Sequence, residues 1–331
     1  MEKRILGTTS IEASVITFGA WAIGGWMWGG ADRKDALDAI RASFDNGVTS
    51  IDTAPAYGQG LSEEIVGEAM QDIGRHKIQL FTKFGIRWDT QEGEFYFNSK
   101  DNSGRDIKIY KFAAKESVIQ ECENSLKRLK TDYIDLYQIH APDGTTPIAE
   151  TMEAMQRLLE QGKVKAAGVS NYSAAQMEEA ERTIQLASNQ VPYSMVFRDI
   201  EQEVIPFCLK NNIAIIAYSP LQRGLLTGKI KPGHHFNEGD SRAGNIFYKN
   251  ENIQRVNSFL DKLKPIADSK RATLGQLVIR WTIEQPGITI VLVGARNRKQ
   301  AIENARAYDI RLSTDEMTFI NRELEKLKLI Q

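Results

Sequence analysis

Short apolar runs alternate along the chain with longer segments of helical period. The runs occupy residues 15–19, 50–53, 78–84, 133–140, 166–170, 189–193, 213–219 and 289–294. Each is too short for a helix and several are rich in β-branched residues, which predicts strands. The intervening segments are amphipathic. Asp32 is placed to cap a helix in which Ala36, Leu37, Ile40 and Phe44 form one stripe, and Gly47 ends it. Residues 61–70 make the next helix. Val118, Cys122, Leu126 and Leu129 share one face of a third, and Met152, Met155 and Leu159 mark a fourth before Gly162. Ser173 with Gln176 reads as a capping box ahead of Met177, Ala180 and Ile184. Val204, Phe207 and Cys208 mark a sixth helix. Thr273 with Gln276 caps one that buries Leu277 and Trp281, and Asn297 opens another carrying Ile302 and Ala305.

Strands each followed by a helix predict an α/β fold, a (β/α)8 TIM barrel, ahead of a doubly wound sheet. The reading takes residues 1–331 as one barrel domain. A barrel needs about 250 residues, and the excess falls in three places. Residues 85–113 follow the third run, residues 221–251 follow the seventh, and a C-terminal helix starts near Ser313-Thr-Asp-Glu316. Residues 4–11 are expected as a hairpin across the barrel floor.

Charge narrows the partners. The 42 Lys+Arg and 43 Asp+Glu leave a formal net charge of -1, whereas nucleic acid or an anionic membrane calls for a basic excess. No apolar run approaches the roughly 20 residues of a membrane span. The opening MEKRILGTTS turns polar too soon for a secretory signal, and two cysteines make no disulfide framework, so a cytoplasmic location is expected. Four histidines leave little room for a His-rich metal centre, and none is expected.

In a barrel, chemistry gathers at the C-terminal ends of the strands. Those ends carry Trp21, then Asp52 and Tyr57, then Lys83, then His140. Ser170, Asn171, Gln190, Tyr218, Ser219 and Gly294-Ala-Arg296 follow. Asp52, Tyr57, Lys83 and His140 form a coherent set. Reducing a carbonyl by hydride leaves an alkoxide that must be protonated. A tyrosine can supply the proton, and a neighbouring lysine ammonium is expected to lower its usual pKa of about 10. A carboxylate holds the lysine in place, and a histidine can direct the substrate oxygen. Tyr57 is thus the expected general acid, Lys83 its tuner, Asp52 the orienter and His140 the carbonyl positioner.

Each residue alone has a plainer reading: a packed tyrosine, a salt-bridged lysine, a turn-capping aspartate, a core histidine. Lys83 also fits a Schiff-base aldolase. Residues 24–30 are glycine-rich without dinucleotide-fold spacing and read as a flexible mouth loop. His234-His235 reads as a solvated pair, and Cys122 and Cys208 as core thiols. Trp88, Phe95, Tyr96, Phe97, Tyr110 and Phe112 crowd the third loop, either to line a pocket or to fasten the loop.

At these residues the chain resembles the aldo-keto reductase family. The resemblance rests on Asp52-Thr-Ala-Pro-Ala-Tyr57-Gly58, Lys83, Asp135-Leu-Tyr-Gln-Ile-His140, Gly168-Val-Ser-Asn171, Gln190 and Tyr218-Ser-Pro-Leu221. Leu225-Leu-Thr-Gly-Lys229, Gly294-Ala-Arg296 and Glu303-Asn304 complete it. The last stretches are most similar to a bacterial branch of the family and to potassium-channel β-subunits. The resemblance implies an NADPH-dependent reductase of small carbonyl compounds, with the tetrad on Asp52, Tyr57, Lys83 and His140. It implies a nicotinamide on Tyr218, its carboxamide held by Ser170, Asn171 and Gln190, with Trp21 beside the site. Ser219, Pro220, Leu221, Arg223, Gly224, Lys229 and Arg242 would surround the pyrophosphate. Gly294, Arg296, Gln300, Glu303 and Asn304 would hold the adenosine end. The smaller monomeric reductases carry lysine where Gly294 stands, so recognition of a 2′-phosphate falls to Arg296, beside a helix N-terminus that favours anions. The channel subunits suggest an alternative, a slow-turnover NADPH-binding sensor or scaffold.

Overall fold

The computed structural model describes residues 1–237 and 239–330. A hairpin of β1 (Lys3–Ile5) and β2 (Glu12–Ser14) precedes β3 (Ile16–Gly19), β4 (Ser50–Asp52) and β5 (Gln79–Phe84). An accessory sheet of β6 (Ile86–Arg87), β7 (Glu94–Lys100) and β8 (Asp106–Lys111) comes next. Then follow β9 (Ile134–Ile139), β10 (Val164–Ser170), β11 (Ser188–Pro192), β12 (Ala214–Tyr218) and β13 (Ile288–Gly294). Strands β3, β4, β5 and β9 to β13 pair in parallel and close a barrel, with β13 beside β3. The eight apolar runs are these eight strands, matched within two residues at each end.

The surrounding helices are α1 (Arg33–Asp45), α2 (Leu61–Ile73), α3 (Lys115–Leu129), α4 (Ile148–Glu160), α5 (Ala174–Ala180) and α6 (Val204–Asn211). They continue with α7 (Asn250–Ser269), α8 (Leu274–Ile283), α9 (Arg298–Arg306) and α10 (Thr314–Glu325). The expected caps form. Asp32 accepts from the Asp35 N–H, and Ser173, Thr273 and Ser313 close reciprocal capping boxes. Cys122 and Cys208 are buried on α3 and α6. Helix α5 stops at Ala180, so Ile184 packs from the turn beyond it.

Two layers of core result. The helices cover the outside of the barrel, and a second cluster fills its interior. Phe81, Leu136, Ala166, Ile216 and Ile290 point inward, and Leu6, Ile11 and Ala13 of the hairpin segment join them from below. The expected floor hairpin is therefore a plug. The Arg4 guanidinium fixes it by donating to the carbonyls of Ile283, Ile288 and Thr289. Among the described residues, no helix is long and apolar enough to cross a membrane.

Candidate active site

Register brings the polar strand ends to one level. Gly19 lies opposite Asp52 and Gly294, Lys83 opposite Gln138, and Ser170 opposite Gln190. The Lys83 ammonium is fully buried and donates three hydrogen bonds. They run to Asp52 Oδ1 at 2.5 Å, the Thr53 carbonyl at 3.0 Å and the Tyr57 hydroxyl at 3.2 Å. Gln190 Nε2 donates to the other Asp52 oxygen at 2.8 Å. The His140 ring stands edge-on to Tyr57 with centroids 5.4 Å apart, and Trp21 stacks on the other side at 6.2 Å.

Burial governs the protonation states. It pushes Asp52 up and Lys83 down, each toward its neutral form, while their contact opposes both. It holds the Tyr57 phenol well above its ordinary 10, reinforced by the Asp52 charge. This corrects the expectation that Lys83 would lower the phenol: Asp52 balances the ammonium, so desolvation decides. His140 is held well below its ordinary 6.5 by burial and then by Lys83, so its imidazole stays neutral. Its Nδ1 is buried without a partner. The imine reading of Lys83 meets an obstacle, since the amine lies beneath Tyr57 and does not line the cavity above it.

That cavity holds about 680 Å³. Apart from Lys83, every site residue nominated above lines it. At one end Asn171, held in the left-handed region at φ 61°, donates to the His140 carbonyl and to Ser170 Oγ. Its own oxygen accepts from the Tyr218 hydroxyl at 3.0 Å, which fixes that ring across the barrel mouth. The Gln190 amide nitrogen is committed to Asp52. Ser219, Pro220, Leu221, Arg223 and Gly224 then turn the chain over the mouth. Arg223 donates to Ser241 and lies 4.9 Å from the Trp21 ring. Arg242 pairs with Asp240, and Lys229 lies 3.7 Å from Glu303.

At the far end Asn297 caps α9 by accepting from the Gln300 N–H. The Arg296 N–H donates to Gln300 Oε1, and Asn304 donates to the Gly294 carbonyl. The exposed Arg296 guanidinium donates to the Gly30 carbonyl at 2.9 Å. An elongated cavity with basic groups along its middle and an arginine at a helix N-terminus suits a dinucleotide with phosphates at those positions.

Sequence reasoning missed part of the wall. Trp26, Met27 and Trp28 line the cavity from the glycine-rich loop. The loop is packed: Trp26 is 6% exposed and donates to Ser99 Oγ and the Lys100 carbonyl. A tryptophan pair in a loop expected to move was the available signal. The aromatic residues of the third loop divide. Tyr96 and Phe97 line the cavity, whereas Phe95 packs edge-on against Tyr110. His234 and His235 are exposed, as expected, and His234 reaches the cavity rim.

The model of the aldo/keto reductase family matches residues 15–325. The chain is 39% identical over 327 residues to the aldo-keto reductase YhdN of Bacillus subtilis, covering 98% of this chain and 94% of that one. It is 36% identical to the NADH-specific methylglyoxal reductase of Escherichia coli, covering 99% and 100%. Its fold matches that of the glycerol dehydrogenase AKR11B4 from Gluconobacter oxydans with a TM-score of 0.88, at 33% identity over 98% of this chain and 96% of that one.

Proposed function

The chain belongs to the aldo/keto reductase family, and from that premise we propose that it reduces aldehydes and ketones to alcohols with NADPH, Tyr57 acting as the general acid. The observation that carries the reading is the buried Lys83–Asp52 pair directly beneath the Tyr57 hydroxyl, with the His140 ring beside it.

When bound, the reduced nicotinamide supplies a hydride to the carbonyl carbon. The residues handle the oxygen. His140 is neutral and can hydrogen-bond the carbonyl without adding charge. Tyr57 is a protonated phenol and hands its proton to the oxygen as negative charge develops there. The phenolate left behind has the Lys83 ammonium at hydrogen-bond distance. That attraction exists only once the proton has moved, so it favours the transition state over the ground state. Tyr218, Ser170, Asn171 and Gln190 would hold the nicotinamide. Ser219, Pro220, Leu221, Arg223, Gly224, Lys229 and Arg242 would border the pyrophosphate. Gly294, Arg296, Gln300, Glu303 and Asn304 would take the adenosine end. One relative is named for NADH. NADPH is preferred in this reading because Arg296 has no carboxylate partner among the described residues and stands beside the α9 N-terminus.

Two variants test the reading. Tyr57→Phe should lose turnover of an aldehyde panel by roughly a hundredfold or more while NADPH binding is retained; full activity would remove the mechanism. Arg296→Ala should weaken NADPH binding and leave NADH binding unchanged in fluorescence titrations. Equal effects on both would end the phosphate assignment. NADPH binding with no turnover of any carbonyl would favour the sensor alternative.

A further inference from the structure

The accessory sheet breaks the alternation that a regular strand imposes. Phe95 lies opposite Tyr110 and Phe97 opposite Ile109, which leaves Tyr96 as an extra residue with no partner on β8. This is a β-bulge, a device that redirects side chains and often stands beside functional sites. Without it Phe97 would share a face with Phe95, two residues earlier. With it, Tyr96 and Phe97 both face the cavity, and Phe95 stays outside against Tyr110.

The bulged segment is held at both ends. Trp26 stacks parallel to Phe97 at 6.2 Å and donates to Ser99 and Lys100. On the other side Glu94 pairs with Lys111 at 2.8 Å and accepts from the Gly144 N–H. Tyr96 contacts Phe97 edge-on at 4.9 Å, and the paired Lys111 ammonium lies 5.2 Å from its ring. The hairpin thus bridges the loop after β3 and the loop after β9, with Tyr96 at the rim. The cavity wall at this end is made of rings, Trp21, Trp28, Tyr96 and Phe97, joined by Met27 and Ile86. Arg242 is paired with Asp240 and Lys111 with Glu94, while Arg223 donates to Ser241 and lies 4.9 Å from the Trp21 ring.

We infer that Tyr96, turned into the cavity by the β7 bulge, is a specificity-determining residue that grips the substituent of the carbonyl substrate and selects planar apolar groups. The inference rests on the carbonyl-reductase reading. Flat rings bury well against flat rings, and four of them line this end of the cavity.

The test compares benzaldehyde with propanal as substrates of the full-length protein in NADPH-consumption assays. Tyr96→Ala should lower the kcat/KM preference for benzaldehyde over propanal roughly tenfold, mainly through KM for benzaldehyde, with propanal affected far less and NADPH binding retained. Tyr96→Phe should keep the preference. Deleting Tyr96 should abolish it as Tyr96→Ala does, because Phe95 then stays opposite Tyr110 and Phe97 opposite Ile109 in an unbroken ladder. Phe95→Ala, on the opposite face, should change nothing. A preference that survives both Tyr96→Ala and the deletion overturns the inference alone, and so does equal loss in Phe95→Ala. Consumption of neither aldehyde by the unaltered protein overturns the reductase reading, and the inference falls with it.

Discussion

At the scale of single residues, the site turns on where protons rest. The Tyr57 phenol is raised well above 10, first by burial and then by Asp52. A raised phenol keeps its proton until pH climbs through its own pKa. Under the proposed mechanism, in which the phenol is the proton donor, carbonyl reduction should therefore be nearly flat from about pH 6 to 9. Alcohol oxidation, for which the same proposal makes the phenolate the base, should rise across the same interval. Initial rates in both directions against pH check this, and a reduction rate falling steeply below pH 9 would contradict it. His140 contributes no titration in that interval because it stays neutral.

At the scale of elements, the tyrosine depends on close backbone contact. Gly58 sits at φ 70°, and a Cβ there would stand 2.2 Å from the Gly24 carbonyl oxygen and 3.0 Å from Asn102 Nδ2. Asn102, from the turn between β7 and β8, donates to that same carbonyl at 2.8 Å. Gly58→Ala should cost about 1–3 kcal/mol in stability and lower kcat. Gly104→Ala, at φ 82° in open space, should cost less and leave kcat alone; urea unfolding with steady-state kinetics separates them. What the sequence discloses also divides by element. The barrel strands are short, apolar and bounded by turns, and helix starts carry their own caps, so both are written locally. Three of the four tetrad residues sit at strand ends, and Tyr57 is in the loop just after one; a strand-by-strand reading reaches them all. The accessory sheet is different. Its bulge exists only in the pairing of β7 with β8, and no single stretch announces which of Phe95, Tyr96 and Phe97 turns inward. Helix α7 is likewise absent from the expected elements, although Ile253, Val256, Leu260 and Leu263 are buried on one face. Pro265 inside it is a residue that ordinarily ends a helix, and it follows that stripe directly.

At the scale of the whole molecule, the two ends of the barrel separate duties. The mouth carries the candidate site, and the floor is closed by the plug of Leu6, Ile11 and Ala13. Leu6 is 0% exposed, so Leu6→Ala should destabilise the protein by about 2–5 kcal/mol. Because the cavity lies at the opposite end, KM for carbonyl and cofactor should stay unchanged. Denaturant midpoints measured alongside kinetics decide this, and a large KM change would show that the ends are coupled. The Arg4 clasp adds a constraint in time. Its acceptors, Ile283, Ile288 and Thr289, lie 279 to 285 positions downstream. A ribosome releases the stopper early and its socket late. Through most of synthesis Leu6 therefore has no enclosure, and the nascent polypeptide carries an uncovered oily segment open to chaperones, or to other half-made copies, until the final staves of the cask arrive.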